Sequence, residues 1–336
     1  MMREEKRFLR LIAGPRLLLI IGTAMAPVQS SIASGDHHMH IYSEDGTRVW
    51  AAMCEFIADG CADDPPIPTT ALTSAAAIHA LDNAGIEKGA ILSLAYYYGF
   101  PPLAGSEFDD HAYVRAENEF VAEQVSRFPD RLAGFFSVNP LAEYAIPEVT
   151  YWATRNELTG LKLHLTNSDV DFANPEHMER LAAVIGVMND HNLPVLIHLR
   201  SRDPGYGYKQ AALFIDQVAR HAPAVTLQLA HMGGWGRYDQ GTDGAVQAFL
   251  DAIENGLIDR SKVWFDVAAV VKADMSDDVV ATLRKRFREI GFDRLLFSSD
   301  WDEVEPDVYM DLLKKRLKLS DEEMEQLMKN EAPYLN

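Results

Sequence analysis

Short apolar runs alternate with amphipathic stretches along almost the whole chain, and this alternation restricts the fold more than any other feature. The strand candidates are 31–40, 89–98, 132–138, 160–165, 194–199, 225–231, 263–267 and 294–300. They are rich in Leu, Ile, Val and Phe, as strands covered on both faces of a parallel sheet are. Helical patterns fill the intervals, with good examples at 110–128, 175–192, 208–221, 243–255 and 277–290. Asn174 followed by Pro175 supplies a cap and a proline at the first helical position. Eight strands with intervening helices predict an α/β fold of the (β/α)8 TIM-barrel type, and 336 residues suit one such barrel. An open doubly wound sheet is the competing architecture, but no Gly-x-Gly-x-x-Gly follows the first strand. The barrel is assigned to 31–336, with an insertion after the first strand (about residues 42–88) and a C-terminal helical extension beginning at Asp307.

The first thirty residues read differently. Arg3, Lys6, Arg7, Arg10 and Arg16 precede an apolar run from Leu17 to Ala26, and small residues follow through Ser34. Basic, apolar, small is the order of an export signal, so residues 1–30 are expected to be a signal peptide and the product periplasmic or secreted. The apolar run is shorter than the roughly 20 residues that span a bilayer, so no stable membrane span is expected after processing. In an oxidising compartment Cys54 and Cys61 could pair, though two unpaired thiols fit the sequence equally. The balance of 31 Lys+Arg against 50 Asp+Glu gives a net charge of -19, which repels phosphate backbones and argues against a nucleic-acid partner.

Eleven histidines carry the main chemical signal, through where they fall. His38 and His40 close the first strand. Side chains at i and i+2 leave a strand on one face, so the two imidazoles can grip one ion without backbone distortion, and Asp36 extends the same face. The strand at 194–199 reaches His198, that at 225–231 reaches His231, and the last reaches Asp300. Lys162 and His164 share a face of the fourth strand. Any one of these is explained by a polar residue capping a strand. Together they place ligand-type residues at the C-terminal ends of several strands, the rim on which barrel active sites are built. His37 points opposite to His38 and is expected to be packed or hydrogen-bonded. His79, His111, His177, His191 and His221 fall on helical stretches, and no role is assigned to them.

The pieces Asp36-His-His-Met-His40, Gly160-Leu-Lys-Leu-His164, Pro194-Val-Leu-Ile-His198, Ala230-His-Met-Gly-Gly234 and Phe297-Ser-Ser-Asp-Trp301 occur in an order that resembles the amidohydrolase superfamily of metal-dependent barrel enzymes. The resemblance is greatest to the amidohydrolase-related branch, which also holds aminocarboxymuconate-semialdehyde decarboxylase. It implies His38, His40, His198 and Asp300 as metal ligands, and His231 as an acid/base beside the metal-bound water. It also implies Lys162 and His164 on the substrate side. The last motif departs from the family's usual Phe-Gly-Ser-Asp-Trp-Pro, with Ser298 for the glycine and Asp302 for the proline. Asp302, Glu303 and Glu305 add negative charge there, which puts a strongly anionic substrate in doubt.

Three imidazoles and a carboxylate leave one divalent ion an open position for water, most simply Zn2+, with Mn2+ or Fe2+ as substitutes. Such an ion brings the pKa of its water toward neutrality, Asp300 would take the proton, and His231 would serve the tetrahedral centre. The expected activity is hydrolysis of an amide, ester or lactone bond in a small molecule. The same apparatus in the decarboxylase members supports non-oxidative decarboxylation of an unsaturated or aromatic acid, and an exported barrel without chemistry is the third reading. A second ion bridged by carbamylated Lys162 is an alternative to the single site. Arg200 and Arg202, on the loop after His198, could fork onto a carboxylate or simply pair with Asp203. Tyr96, Tyr97 and Tyr98 end the second strand, with one or two of them facing inward. Trp235, Arg237 and Trp301 could wall the pocket or pack as core. Barrels of this kind often form homodimers, but no exposed apolar stripe marks a contact face here.

Overall fold

In the computed structural model, which describes residues 33–56 and 68–335, eight parallel strands are hydrogen-bonded in the order β1 to β8. The chain runs β1 (Ala33–His40), α1 (Glu44–Cys54), α2 (Ser74–Ala84), β2 (Ile86–Leu92), α3 (His111–Ser126), β3 (Leu132–Ser137) and α4 (Ala145–Ala153). It continues through β4 (Gly160–His164), α5 (Pro175–Asp190), β5 (Val195–His198), α6 (Tyr208–Gln217), β6 (Leu227–Leu229) and α7 (Gln240–Glu254). It ends with β7 (Val263–Asp266), α8 (Asp277–Ile290), β8 (Leu295–Leu296), α9 (Pro306–Leu317) and α10 (Asp321–Lys329). The circle is joined by the segment after β8. Phe297 O accepts from His37 N at 3.0 Å, Asp300 N donates to His38 O at 3.1 Å, and Met39 bridges Trp301. This is the (β/α)8 barrel read from the alternation of apolar runs.

Local chemistry sets the element ends. Asn174 caps α5 by accepting from Glu176 N at 3.0 Å, with Pro175 at the first position as expected. Asp110 caps α3 in the same way. A Cβ on Gly160 would fall 2.5 Å from the Phe135 ring and 2.8 Å from Pro194 O, so only glycine lets β4 approach its neighbours there. Several strand ends differ from expectation. The second strand begins at Ile86 and ends at Leu92, and Tyr96, Tyr97 and Tyr98 lie in the 3-10 turn Ala95–Gly99. The sixth strand stops at Leu229 because the chain turns sharply at His231 and Met232. The insertion contains α1 and α2, and α1 brings Trp50 and Met53 over the barrel mouth. Cys54 is buried at the end of α1, while Cys61 and residues 1–30 lie outside the described residues. No helix among the described residues is long and apolar enough to cross a membrane.

One buried carboxylate outside the mouth ties α3 to α4. Glu148 accepts from His111 Nε2 at 2.6 Å, Arg115 Nη2 at 2.6 Å and Trp152 Nε1 at 2.6 Å. Burial alone would raise its pKa, but the Arg115, His111 and Trp152 donors outweigh burial and hold it below the ordinary value. The folded pKa is therefore lower than the unfolded one. The associated stability is present above the unfolded pKa and is lost as pH falls through the folded value. Glu148→Gln is expected to cost about 3 kcal/mol at pH 7. Its Tm deficit against the wild type should shrink steadily on acidification; a deficit that stays constant down to pH 3 would contradict this account.

Candidate metal centre

β1 delivers His38 and His40 to the C-terminal rim, and the turn after β8 delivers Asp300 beside them. His38 Nε2 lies 3.2 Å from His40 Nε2 and 3.3 Å from Asp300 Oδ1, and His40 Nε2 lies 3.6 Å from the same oxygen. Ligand atoms at zinc-like distances stand about 3.3–3.6 Å apart when tetrahedral, so the triangle has the size of a coordination site. His38 gives its Nδ1–H to Asp266 Oδ2 at 3.1 Å. Its Nε2 therefore carries a lone pair that faces the Asp300 side of the trio, with Lys162 Nζ at 3.3 Å, and is free to ligate a cation. His40 Nδ1 and His198 Nδ1 are buried without a hydrogen-bond partner among the described residues. The donor set of His38, His40 and Asp300 thus fits a divalent ion.

His198 is not part of that tight trio. Its ring stacks on His164 at 3.9 Å and 7° and stands 5.2 Å from the ring of His231, facing the same cavity. His231 lies across Asp300, with Nδ1 at 4.0 Å from Oδ2, and is fixed by two bonds. Its backbone N–H reaches Asp266 at 2.7 Å and its Nδ1 reaches Ala268 O at 2.9 Å. Asp36 does not face the trio. Its carboxylate accepts from Ser299 Oγ at 2.5 Å, Ser299 N at 3.1 Å and His38 N at 3.1 Å, so it fastens β1 to the turn after β8. His37 points away, as expected, with Nδ1 on Phe297 O at 2.9 Å. His231, Met232, Ala269 and Asp300 adopt φ of 52°, 57°, 50° and 68°. Three of the four, His231, Ala269 and Asp300, line one cavity, and side-chain-bearing residues in this disfavoured region are a strain that functional rims commonly hold.

Asp266 is the functional residue that the sequence reading passed over. It is fully buried, and its four bonds come from His38 Nδ1, Gln228 Nε2, His231 N and Ala268 N. Burial pushes its pKa up, but His38 and its other partners bring it below the ordinary value, so it stays a carboxylate. A charged acceptor behind a ligating imidazole fixes ring orientation and raises its basicity. The signal was present, since Val263-Trp-Phe-Asp266 ends its strand in aspartate as the other strands end in ligand types.

The ionisation states suit a cation. Burial, aided by Lys162, lowers the His38 pKa to about 3, and burial takes His164 and His198 well below their ordinary value, so these rings are neutral. Burial opposes ionisation of Asp300, but His231 beside it, with the hydrogen bond from His40, outweighs burial and holds it well below the carboxylate range. Lys162 is buried, with Nζ at 3.3 Å from His38 Nε2, and burial brings it down to about 8. Glu303 is pushed up to about 8, first by the charge of Asp300 and then by burial.

The trio opens on a cavity of about 450 Å3 that also takes in Trp50, Tyr96, Tyr97, Lys162, His164 and Trp235. His164 stacks on His198, Tyr96 leans on His164 at 4.9 Å and 30°, and Trp235 stands edge-on to His198 at 5.5 Å. Tyr98 stacks instead on Tyr113. Arg200 and Arg202 line a neighbouring cleft of about 480 Å3 that shares Trp235 and Arg237. Arg200 pairs with Asp239 at 2.6 Å rather than with Asp203, and Arg202 donates to Thr166 O at 3.1 Å. Trp301 is buried, with its indole N–H directed at Glu305 at 3.4 Å.

A parallel eight-stranded barrel with two histidines and an aspartate converging at its C-terminal rim defines a metal-dependent barrel enzyme. More narrowly, the chain matches the amidohydrolase family over residues 36–332 and belongs to it. No curated protein matches it by sequence. Solved structures share the fold. 5-Carboxyvanillate decarboxylase from Sphingomonas paucimobilis is 16% identical with a TM-score of 0.62, covering 89% of this chain and 97% of that one. A dihydroxybenzoic acid decarboxylase from Polaromonas sp. JS666, with bound manganese and 2-nitroresorcinol, is 15% identical with a TM-score of 0.60, covering 88% and 94%. A probable 2-pyrone-4,6-dicarboxylic acid hydrolase from Acinetobacter baumannii is 17% identical with a TM-score of 0.54, covering 88% and 96%.

Proposed function

We propose that the protein is a metal-dependent hydrolase that opens an ester, lactone or amide bond in a small molecule. The observation that carries this reading is the placement of the Asp300 carboxylate within the donor trio and opposite His231, on a cavity lined by aromatic side chains. One ion, Zn2+ by preference for nitrogen-rich ligation, would be held by His38, His40 and Asp300, with His198 as the further ligand. When bound, it supplies Lewis acidity and an acidified water. Asp300 is placed to accept a proton from that water. The Nδ1–H of His231 is committed to Ala268 O, which leaves Nε2 as the nitrogen that exchanges a proton with the reacting group. Trp50, Tyr96, Tyr97 and Trp235 give the cavity an aromatic lining that suits an unsaturated substrate. Residues 1–30 acting as an export signal belong to the same proposal.

Decarboxylation of an aromatic or unsaturated acid is the second reading. The aromatic lining of the cavity suits such an acid equally, and five of the solved structures that share the fold are decarboxylases by name. Turnover of a panel of lactones, esters, amides and unsaturated acids in 18O-labelled water separates the two. Hydrolysis should place one labelled oxygen in the acid product with no carbon dioxide released. Carbon dioxide release with no label in the organic product would replace the first reading with the second.

A further inference from the structure

At the opposite end of the barrel, a set of polar side chains is left over from the chemistry just described. The segment 332–335 fills that end. Leu335 packs with Ala90, Leu92, Phe135, Leu196 and Ala230, and the Tyr334 ring stands edge-on to Phe135 at 4.9 Å. The Tyr334 hydroxyl donates to Gln228 Oε1. Gln228 Nε2 then donates to His37 O at 3.0 Å and to Asp266 Oδ2 at 2.8 Å. The same Asp266 oxygen accepts Nδ1–H of His38. The segment is pinned on its other side by Ala332 N donating to His37 Nε2 at 3.2 Å.

A glutamine amide can face either way, and only one orientation gives Asp266 a donor. With Tyr334 supplying a proton to Oε1, the NH2 group must face Asp266 and His37 O, and every bond along the line is satisfied. Without it, Oε1 becomes a buried acceptor with no partner, or the amide turns and sets its oxygen against a carboxylate.

We propose that Tyr334 and Gln228 are positioning residues for the metal centre, acting through Asp266 on the ring orientation and basicity of His38. This rests on the reading of His38, His40 and Asp300 as a metal site, and it is independent of which bond the enzyme breaks. It gives residues at the closed end of the barrel control over ion affinity at the open end.

The test uses the full chain loaded with Co2+, read by its visible absorption spectrum and by competition with a chelator. Tyr334→Phe keeps the ring and removes only the donor. It should weaken Co2+ binding about tenfold, at the low end for residues that support a ligand, and alter the Co2+ spectrum. Gln228→Leu should weaken binding at least as much, and the double variant should be no worse than Gln228→Leu alone, because the two act in one line. Leu335→Ala removes packing at the same end and should lower Tm while leaving affinity and spectrum unchanged. Wild-type affinity and spectrum in Tyr334→Phe would overturn the proposal, as would an equal loss of affinity in Leu335→Ala. If Gln228→Leu fails to fold, the comparison of Tyr334→Phe with Leu335→Ala still decides. A wild-type protein that takes up no divalent ion would overturn the metal-site reading itself and this proposal with it.

Discussion

His38→Ala is expected to lose the metal ion and turnover together. His38 sits at the centre of the donor set, 3.2 Å from His40, 3.3 Å from Asp300 and bonded to Asp266. Removing its imidazole takes away one ligand and leaves Asp266, a buried carboxylate, short of a donor. An ion that stabilises the reacting centre by several kcal/mol contributes about a thousandfold or more in rate, and all of that should vanish. His231→Ala should behave differently. Its ring faces Asp300 from outside the trio, so metal content should stay near one ion per chain while kcat falls about 10²–10⁴-fold, the range for a lost acid/base. Metal analysis beside turnover for the two variants is the check. Equal loss of metal in both would show that His231 is a ligand.

Asp300→Asn should be the most damaging isosteric change. The amide has nearly the same shape but no charge and no affinity for a proton. Both the ionic part of metal binding and the acceptor for the water proton are lost. A kcat at least about a thousandfold lower is expected, with no recovery as pH is raised, because an amide does not ionise. Recovery of activity at high pH would mean that another base takes the proton and that Asp300 serves only as a ligand.

The alternation of apolar runs was enough to read the barrel, because strands covered on both faces must be continuously apolar. Where the reading erred, tertiary context decided. Tyr96, Tyr97 and Tyr98 have strand-like composition, yet they turn in a 3-10 segment that carries two of them to the cavity and one to Tyr113. His38, His40 and Asp300 were legible because ligand-type residues at strand ends stand out against apolar runs. Asp266 stands at an equivalent place, but a lone aspartate after an apolar strand looks the same as a cap, and only its burial beneath His38 and His231 distinguishes it. Gln228 and Tyr334 left no local trace at all, since their meeting depends on the segment 332–335 docking into the barrel. Trp50 reached the cavity by way of the insertion, whose course no periodicity fixes.

The seam between the first strand and the turn after the last has a consequence for biosynthesis. Asp36 and Ser299, 263 residues apart, hold that seam together, and His38 and Asp300 meet across it. A ribosome must therefore have made nearly the whole barrel before the coordinating atoms can assemble. A nascent chain that ends before Asp300 carries His38 and His40 without their carboxylate partner, so the full donor set forms only once the eighth strand has been made.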